Sequence, residues 1–129
     1  SKKVKEFISS SKKNLIPFLG VFLKKNSKHI GSIRLPGYDK QNRKILLGIM
    51  IFDSLYSNKG YGAESLSLVT EYILNETNCN KISADYCIKN TSSEKLFRKC
   101  GYIIEGRLKK NVFIDNKFED TIIVSKLKE

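Results

Sequence analysis

The order of apolar and polar positions divides the chain into short elements. Residues 1–13 set Val4, Phe7 and Ile8 among five lysines at i, i+3, i+4 spacing, which predicts a short amphipathic helix with a basic face. Pro17 closes it. Residues 18–23 and 30–35 are apolar runs on either side of the polar turn Lys24-Lys25-Asn26-Ser27-Lys28, and together they read as a hairpin. Pro36-Gly37-Tyr38-Asp39 marks a further turn, with residues 40–44 extending the loop. Residues 45–52 are continuously apolar, as expected of a central strand covered on both faces. Gly48 inside that run implies a bulge or the close approach of another group, a first hint of a ligand lying against the strand.

Downstream, Gly62, Leu66, Val69 and Ile73 recur at helical spacing, and residues 75–80 end that helix. Residues 81–88 alternate, with Ile82, Ala84, Tyr86 and Ile88 on one side of a strand. Thr91-Ser92-Ser93-Glu94 has the form of a capping box, and predicts a helix from about 92 to 99 with Leu96, Phe97 and Cys100 inward and Gly101 as its stop. Two last strands, 102–108 and 118–127, flank the turn Asp115-Asn116-Lys117. The expected order is β-β-β-α-β-α-β-β after the first helix, a mixed sheet in one α/β or α+β domain spanning 1–129.

Tyr56-Ser57-Asn58-Lys59-Gly60-Tyr61-Gly62-Ala63-Glu64 joins the central strand to the long helix. First-turn amides of a helix have no partner within it, and glycine lets backbone approach a phosphate, so such a turn can cradle an anion. Two glycines alone favour an ordinary strand-to-helix turn over an anion site. With 24 Lys plus Arg against 13 Asp plus Glu, the formal charge of +11 favours anionic partners and argues against a polycationic substrate. The lysines are scattered, without aromatic interleaving or a basic recognition helix, which weighs against nucleic acid.

Cys79, Cys87 and Cys100 are odd in number and lack metal spacing, so they fit a reduced, cytoplasmic protein with no metal. No run is long enough to span a membrane. The chain starts with Ser, as a piece of a longer reading frame would.

Three features in fixed order carry a resemblance. The glycine turn Lys59-Gly60-Tyr61-Gly62-Ala63-Glu64 is followed by Asn90 at the end of the next strand and by the helix ending Leu96-Phe97-Arg98-Lys99-Cys100-Gly101-Tyr102. Glu105-Gly106-Arg107-Leu108 and Asn116-Lys117-Phe118-Glu119-Asp120 then complete a set that is similar, over roughly residues 18–127, to the GNAT superfamily of acyl-CoA-dependent N-acetyltransferases. The likeness is to the branch of ribosomal-protein N-terminal, spermidine and amino-sugar-nucleotide acetyltransferases.

The resemblance implies a centrally splayed sheet flanked by helices, with acetyl-CoA as cosubstrate. Its pantetheine arm would pair with backbone near Ile49, Met50 and Ile51. Its pyrophosphate would meet amides of Asn58, Lys59, Gly60, Tyr61, Gly62 and Ala63, and Asn90 would contact it beside the next strand. Lys59 and Lys99 could add charge, or simply be solvated.

The implied reaction is direct attack of a primary amine, on a small molecule or a protein N-terminus, with the charge favouring an anionic acceptor. Two departures bear on activity. Phe97 stands where the family often has a proton-donating tyrosine, and Leu46 or Leu47 stands where some members have an acid. A catalytically weak CoA-binding domain is therefore the alternative, and the general acid and base are unassigned. His29 reads as a surface residue, and Tyr86, Cys87 and Cys100 as core. The resemblance also implies a missing first strand and helix, so that either the chain is truncated or a neighbouring copy completes the sheet in a homodimer.

Overall fold

A computed structural model describes residues 4–10, 17–51 and 60–129. Nine elements follow in order: β1 (Val4–Ser10), β2 (Pro17–Leu23), β3 (His29–Asp39), β4 (Lys44–Ile51), α1 (Tyr61–Glu76), β5 (Lys81–Cys87), α2 (Thr91–Lys99), β6 (Ile103–Ile114) and β7 (Lys117–Leu127). The seven strands make one mixed sheet in the order β1-β2-β3-β4-β5-β7-β6. Only β4 and β5 run parallel, joined by the α1 crossover, and the other neighbours are antiparallel.

Both described helices cover one face. Leu66, Val69 and Ile73 of α1 and Phe97 of α2 join Val21, Ile33, Leu47, Ile82, Ala84 and Val124 of the sheet in a single buried cluster. Burying each of the larger of these side chains stabilises the fold by roughly 1.5–3 kcal/mol before entropy is counted.

Four expectations are corrected. Residues 4–10 form a strand, not a helix, pairing with β2 from Val4↔Leu23 to Ser10↔Pro17. Seven ladder positions outweigh a helical periodicity carried by three apolar residues. Pro36 and Gly37 do not end the second hairpin strand. Arg34 faces Gly48 and Gly37 faces Leu46, so Leu35 and Pro36 together oppose Leu47 in a bulge, where a residue without an N–H is tolerated. The turn comes later, at residues 40–43, closed by the Asn42 amide donating to Asp39 Oδ1 at 2.9 Å.

Third, β4 is covered on one face only: Ile45 and Leu47 are buried, whereas Leu46 and Met50 are 49% and 61% exposed. Fourth, the first cap of α2 is Asn90 rather than the capping box. Its Oδ1 accepts from the Ser93 amide at 3.0 Å, while Glu94 pairs with Arg98 one turn on.

The other end of α2 follows the expectation. Gly101, at φ 85°, donates to the Arg98 carbonyl at 3.0 Å and Tyr102 donates to that of Phe97 at 2.9 Å, the Schellman pattern that needs a left-handed residue. The Phe97 and Tyr102 rings meet edge-to-face at 5.2 Å across it. In the last hairpin Asp115 and Asn116 both have positive φ, 51° and 60°, giving a two-residue turn whose twist suits paired strands.

Candidate functional site

The sheet forks between β4 and β5. Their parallel pairing consists of Lys44↔Lys81, Ile45↔Ile82 and Leu46↔Ser83, yet β4 continues to Ile51 and β5 to Cys87. The closed end is pinned by Arg43: its carbonyl accepts from the Asn80 amide at 2.7 Å and its Nε donates to the Asn78 carbonyl at 2.8 Å. Beyond Leu46 each strand is held only by its outer neighbour, β3 or β7. The inner edge of β4 at Ile49, Met50 and Ile51 therefore presents backbone donors and acceptors to an open wedge, which an extended chain bearing amides can pair with.

Helix α1 runs back from the open end of the fork toward its closed end, so its N-terminus stands by the opening. Its N-cap is Gly60, at φ 87° and ψ −6°, which has no side chain of its own to cap the first turn. The first bond within the helix is Glu64 N–H to Gly60 C=O at 3.0 Å. The amides of Tyr61, Gly62 and Ala63 precede it and have no carbonyl to meet inside the helix. A Cβ at Gly60 would meet no atom within 4 Å, so the backbone is uncrowded on that side of the turn. The end of α2 braces this turn: Cys100 Sγ lies 3.5 Å from the Ala63 carbonyl and accepts from Ser67 Oγ at 3.4 Å.

Of the expected anion-loop residues, Gly60, Tyr61, Gly62 and Ala63 come together at this helix start, while Asn58 and Lys59 lie outside the described residues. Asn90 sits across the fork, where β5 passes into α2, and its Oδ1 is engaged by the cap. Lys99 is exposed.

Phe97 is a core residue at 3% exposure, stacked 6.1 Å from the Tyr86 ring. Burial raises the Tyr86 phenol above its ordinary range, and Glu94 raises it further. The Tyr102 hydroxyl is bonded to Thr70 Oγ1 at 2.7 Å, and burial pushes it up to about 12 although that bond acts to lower it. His29 is exposed and stacks on Phe22 at 4.6 Å. The three cysteines are free thiols. No cluster among the described residues could hold a metal, and no described helix is long and apolar enough to cross a membrane.

A cavity of about 720 Å³ lies along the C-terminal half of α1, lined by Leu19, Leu35, Ile45, Val69 and Ile73 among others. It is at the far end of the helix from Gly60 and offers no such amide cluster.

Residues 2–103 match the family model described as an acetyltransferase (GNAT) domain. The chain belongs to the GNAT acetyltransferase family. It is similar, at 25% identity over 92% of its length and 66% of the relative's, to the probable N-acetyltransferase YjcK of Bacillus subtilis. Among solved structures it superposes on the ribosomal-protein-S5-alanine acetyltransferase from Vibrio fischeri with a TM-score of 0.82 and 27% identity, covering 92% of this chain and 64% of that one. A dodecameric spermidine N-acetyltransferase from Vibrio cholerae shares the fold at TM-score 0.81 and 22% identity, over 89% of this chain and 66% of that one. The chain thus spans slightly under two thirds of the length of these GNAT proteins. The mixed, splayed sheet flanked by helices is the fold expected from sequence.

Two charged residues were not singled out from sequence. Arg34 and Asp85 are both exposed on the sheet face that carries no described helix. The alternation of residues 81–88 already sets Asp85 opposite in sense to Ala84 and Tyr86, whereas placing Arg34 needs the register Arg34↔Gly48.

Proposed function

We propose that this GNAT domain, residues 1–129, is an N-acetyltransferase that takes its acetyl group from acetyl-CoA and passes it to a primary amine by direct attack. The observation that carries the reading is the N-terminus of α1, opened by Gly60, standing at the mouth of the β4–β5 fork. The amides of Gly60, Tyr61, Gly62 and Ala63 would hold the pyrophosphate, with Asn58 and Lys59 extending the loop, and fixed N–H dipoles do this without a desolvated cation. Ile49, Met50 and Ile51 would pair with the pantetheine amides through backbone, and Asn90 would reach the cosubstrate from the other side of the fork through its side-chain NH2. When bound, acetyl-CoA supplies an acyl carbon already activated as a thioester.

Phe97, a buried ring with no ionisable group, donates no proton to the leaving thiolate. The same observation favours a second reading, a CoA-binding domain with weak or no turnover. The reduced, cytoplasmic setting and an acceptor that carries an anionic group remain part of the proposal, supported by the free thiols and the charge of +11. Assembly with another copy is a further part: the V. cholerae relative is dodecameric, and β6 is an edge strand with Ile103, Phe113 and Ile114 exposed.

Thermal shift with acetyl-CoA and CoA, followed by thiol release with a panel of amines, tests this. Stabilisation by both ligands and turnover with at least one amine is the expected outcome. Stabilisation without turnover on any amine selects the second reading, and no stabilisation by either ligand overturns both.

A further inference from the structure

The face of the sheet turned away from α1 and α2 has a slot over Gly48. Three strands build it. Gly48 is directly opposite Arg34 on β3. On its other side Leu46 pairs with Ser83, so Asp85, two residues further along β5, shares the face of Gly48 at the start of the fork. Side chains alternate along a strand, which puts Leu46 and Met50 on this face as well, one on each side of the glycine. Both are exposed, and a Cβ built on Gly48 would meet nothing within 4 Å.

The slot thus has a glycine floor, two apolar walls, a guanidinium at one end and a carboxylate at the other. Paired strands lie about 4.8 Å apart and β4 and β5 diverge beyond Leu46, so the backbones of Arg34 and Asp85 stand more than about 10 Å apart across β4. That leaves room for one small molecule between their side chains. Neither Arg34 nor Asp85 pairs with another described side chain, in contrast to Lys81 and Glu105, which meet at 2.7 Å.

Resting on the acetyltransferase reading above, we propose that this slot selects the acceptor as a zwitterion, an α-amino acid or similar small amine that also carries an anionic group. Asp85 receives the ammonium beside the fork, and Arg34 receives the carboxylate on the far side of Gly48. The apolar part lies against Leu46 and Met50. A polyamine would meet Arg34 with like charge, and an amine without an anion would leave Arg34 unused. Arg34 and Asp85 are specificity-determining residues in this scheme. The carboxylate at Asp85 also holds the amine near the start of the fork, beside the wedge where the donor is expected.

Calorimetric titration of the protein, with and without saturating CoA, tests the slot by binding alone. The ligands are L-methionine, L-methioninamide, N-acetyl-L-methionine and spermidine. Methionine is expected to bind, the amide and the N-acetyl compound at least about tenfold more weakly, since each lacks one charge-assisted contact. R34Q should remove the discrimination against the amide and keep that against the N-acetyl compound; D85N should do the reverse. G48V, which fills the slot where no atom is met, should abolish methionine binding with melting temperature and near-ultraviolet circular dichroism retained.

Equal binding of methionine and its amide to the unmodified protein overturns the proposal. So do tighter binding of spermidine, no binding of methionine at all, or variants that leave the ratios unchanged. If CoA fails to bind while the amine pattern holds, the acetyl-transfer reading falls and the slot stands.

Discussion

Gly60 and Tyr102 show how single residues position the site. Gly60 occupies the left-handed region with open space around its α-carbon, so replacing it by alanine adds backbone strain and no clash. The expected loss is about 1–2 kcal/mol in urea unfolding, most of it recovered in Gly60→Asn because asparagine tolerates this conformation. Tyr102→Phe acts differently, leaving the Thr70 hydroxyl, 4% exposed, without its partner. A buried hydroxyl so orphaned costs about 1–3 kcal/mol, at least as much as the strain at Gly60. The phenol also makes stability depend on pH. Its folded value of about 12 lies above the ordinary 10, so its stabilisation is intact below pH 10 and is lost as pH rises toward 12. Urea midpoints measured across that window should fall for the unmodified protein and show a smaller decline for Tyr102→Phe. An identical decline in both would sink the assignment.

Among the elements, α2 and the turn of the last hairpin were legible almost to the residue, whereas β6, expected over 102–108, runs on to Ile114, and the N-terminal segment was not legible. Gly101 could be recognised as a helix stop because only glycine adopts φ 85° there without strain. Asp115-Asn116 was legible for a similar reason. Residues 4–10 were misread because their partner, β2, supplies the stabilisation, and pairing across a sheet leaves no mark in local periodicity. The bulge at Leu35 and Pro36 was hidden in the same way, since a Pro-Gly pair signals a turn whether the strand ends or only bends.

The cap of α2 is where reading and structure diverge by one residue, and it matters for the site. Asn90 was read as a cosubstrate contact, yet its Oδ1 holds the Ser93 amide. Asn90→Ala should therefore destabilise by about 1 kcal/mol, and Asn90→Ser should restore most of that. If CoA affinity is low in both variants, the side chain contacts CoA as well. If the serine variant binds normally, the residue is a cap alone. In the hairpin, Asn116→Gly should gain up to about 1 kcal/mol by relieving the left-handed backbone, read as a raised melting temperature.

At the scale of the whole molecule, the fork arises from topology: a parallel β4–β5 pair is pinned at one end by Arg43 and pulled outward by antiparallel partners on both sides. The family motifs made that architecture legible. The slot was not, because it is assembled from three strands whose register no single segment encodes. The charge of +11 acts over the same scale. Screening shortens the reach of that field from about 30 Å at 0.01 M salt to about 8 Å at 0.15 M. A multiply charged anion such as CoA feels it as steering, and its association rate should drop several-fold between those salt concentrations. A zwitterion has no net charge for the field to act on, and its contacts to Arg34 and Asp85 are short-range. Stopped-flow association of CoA and titration of L-methionine over the same salt series should separate the two, with a steep decline for the first and a nearly flat response for the second. A parallel decline would mean that the amine is held by the anionic group alone, and Asp85 would lose its role.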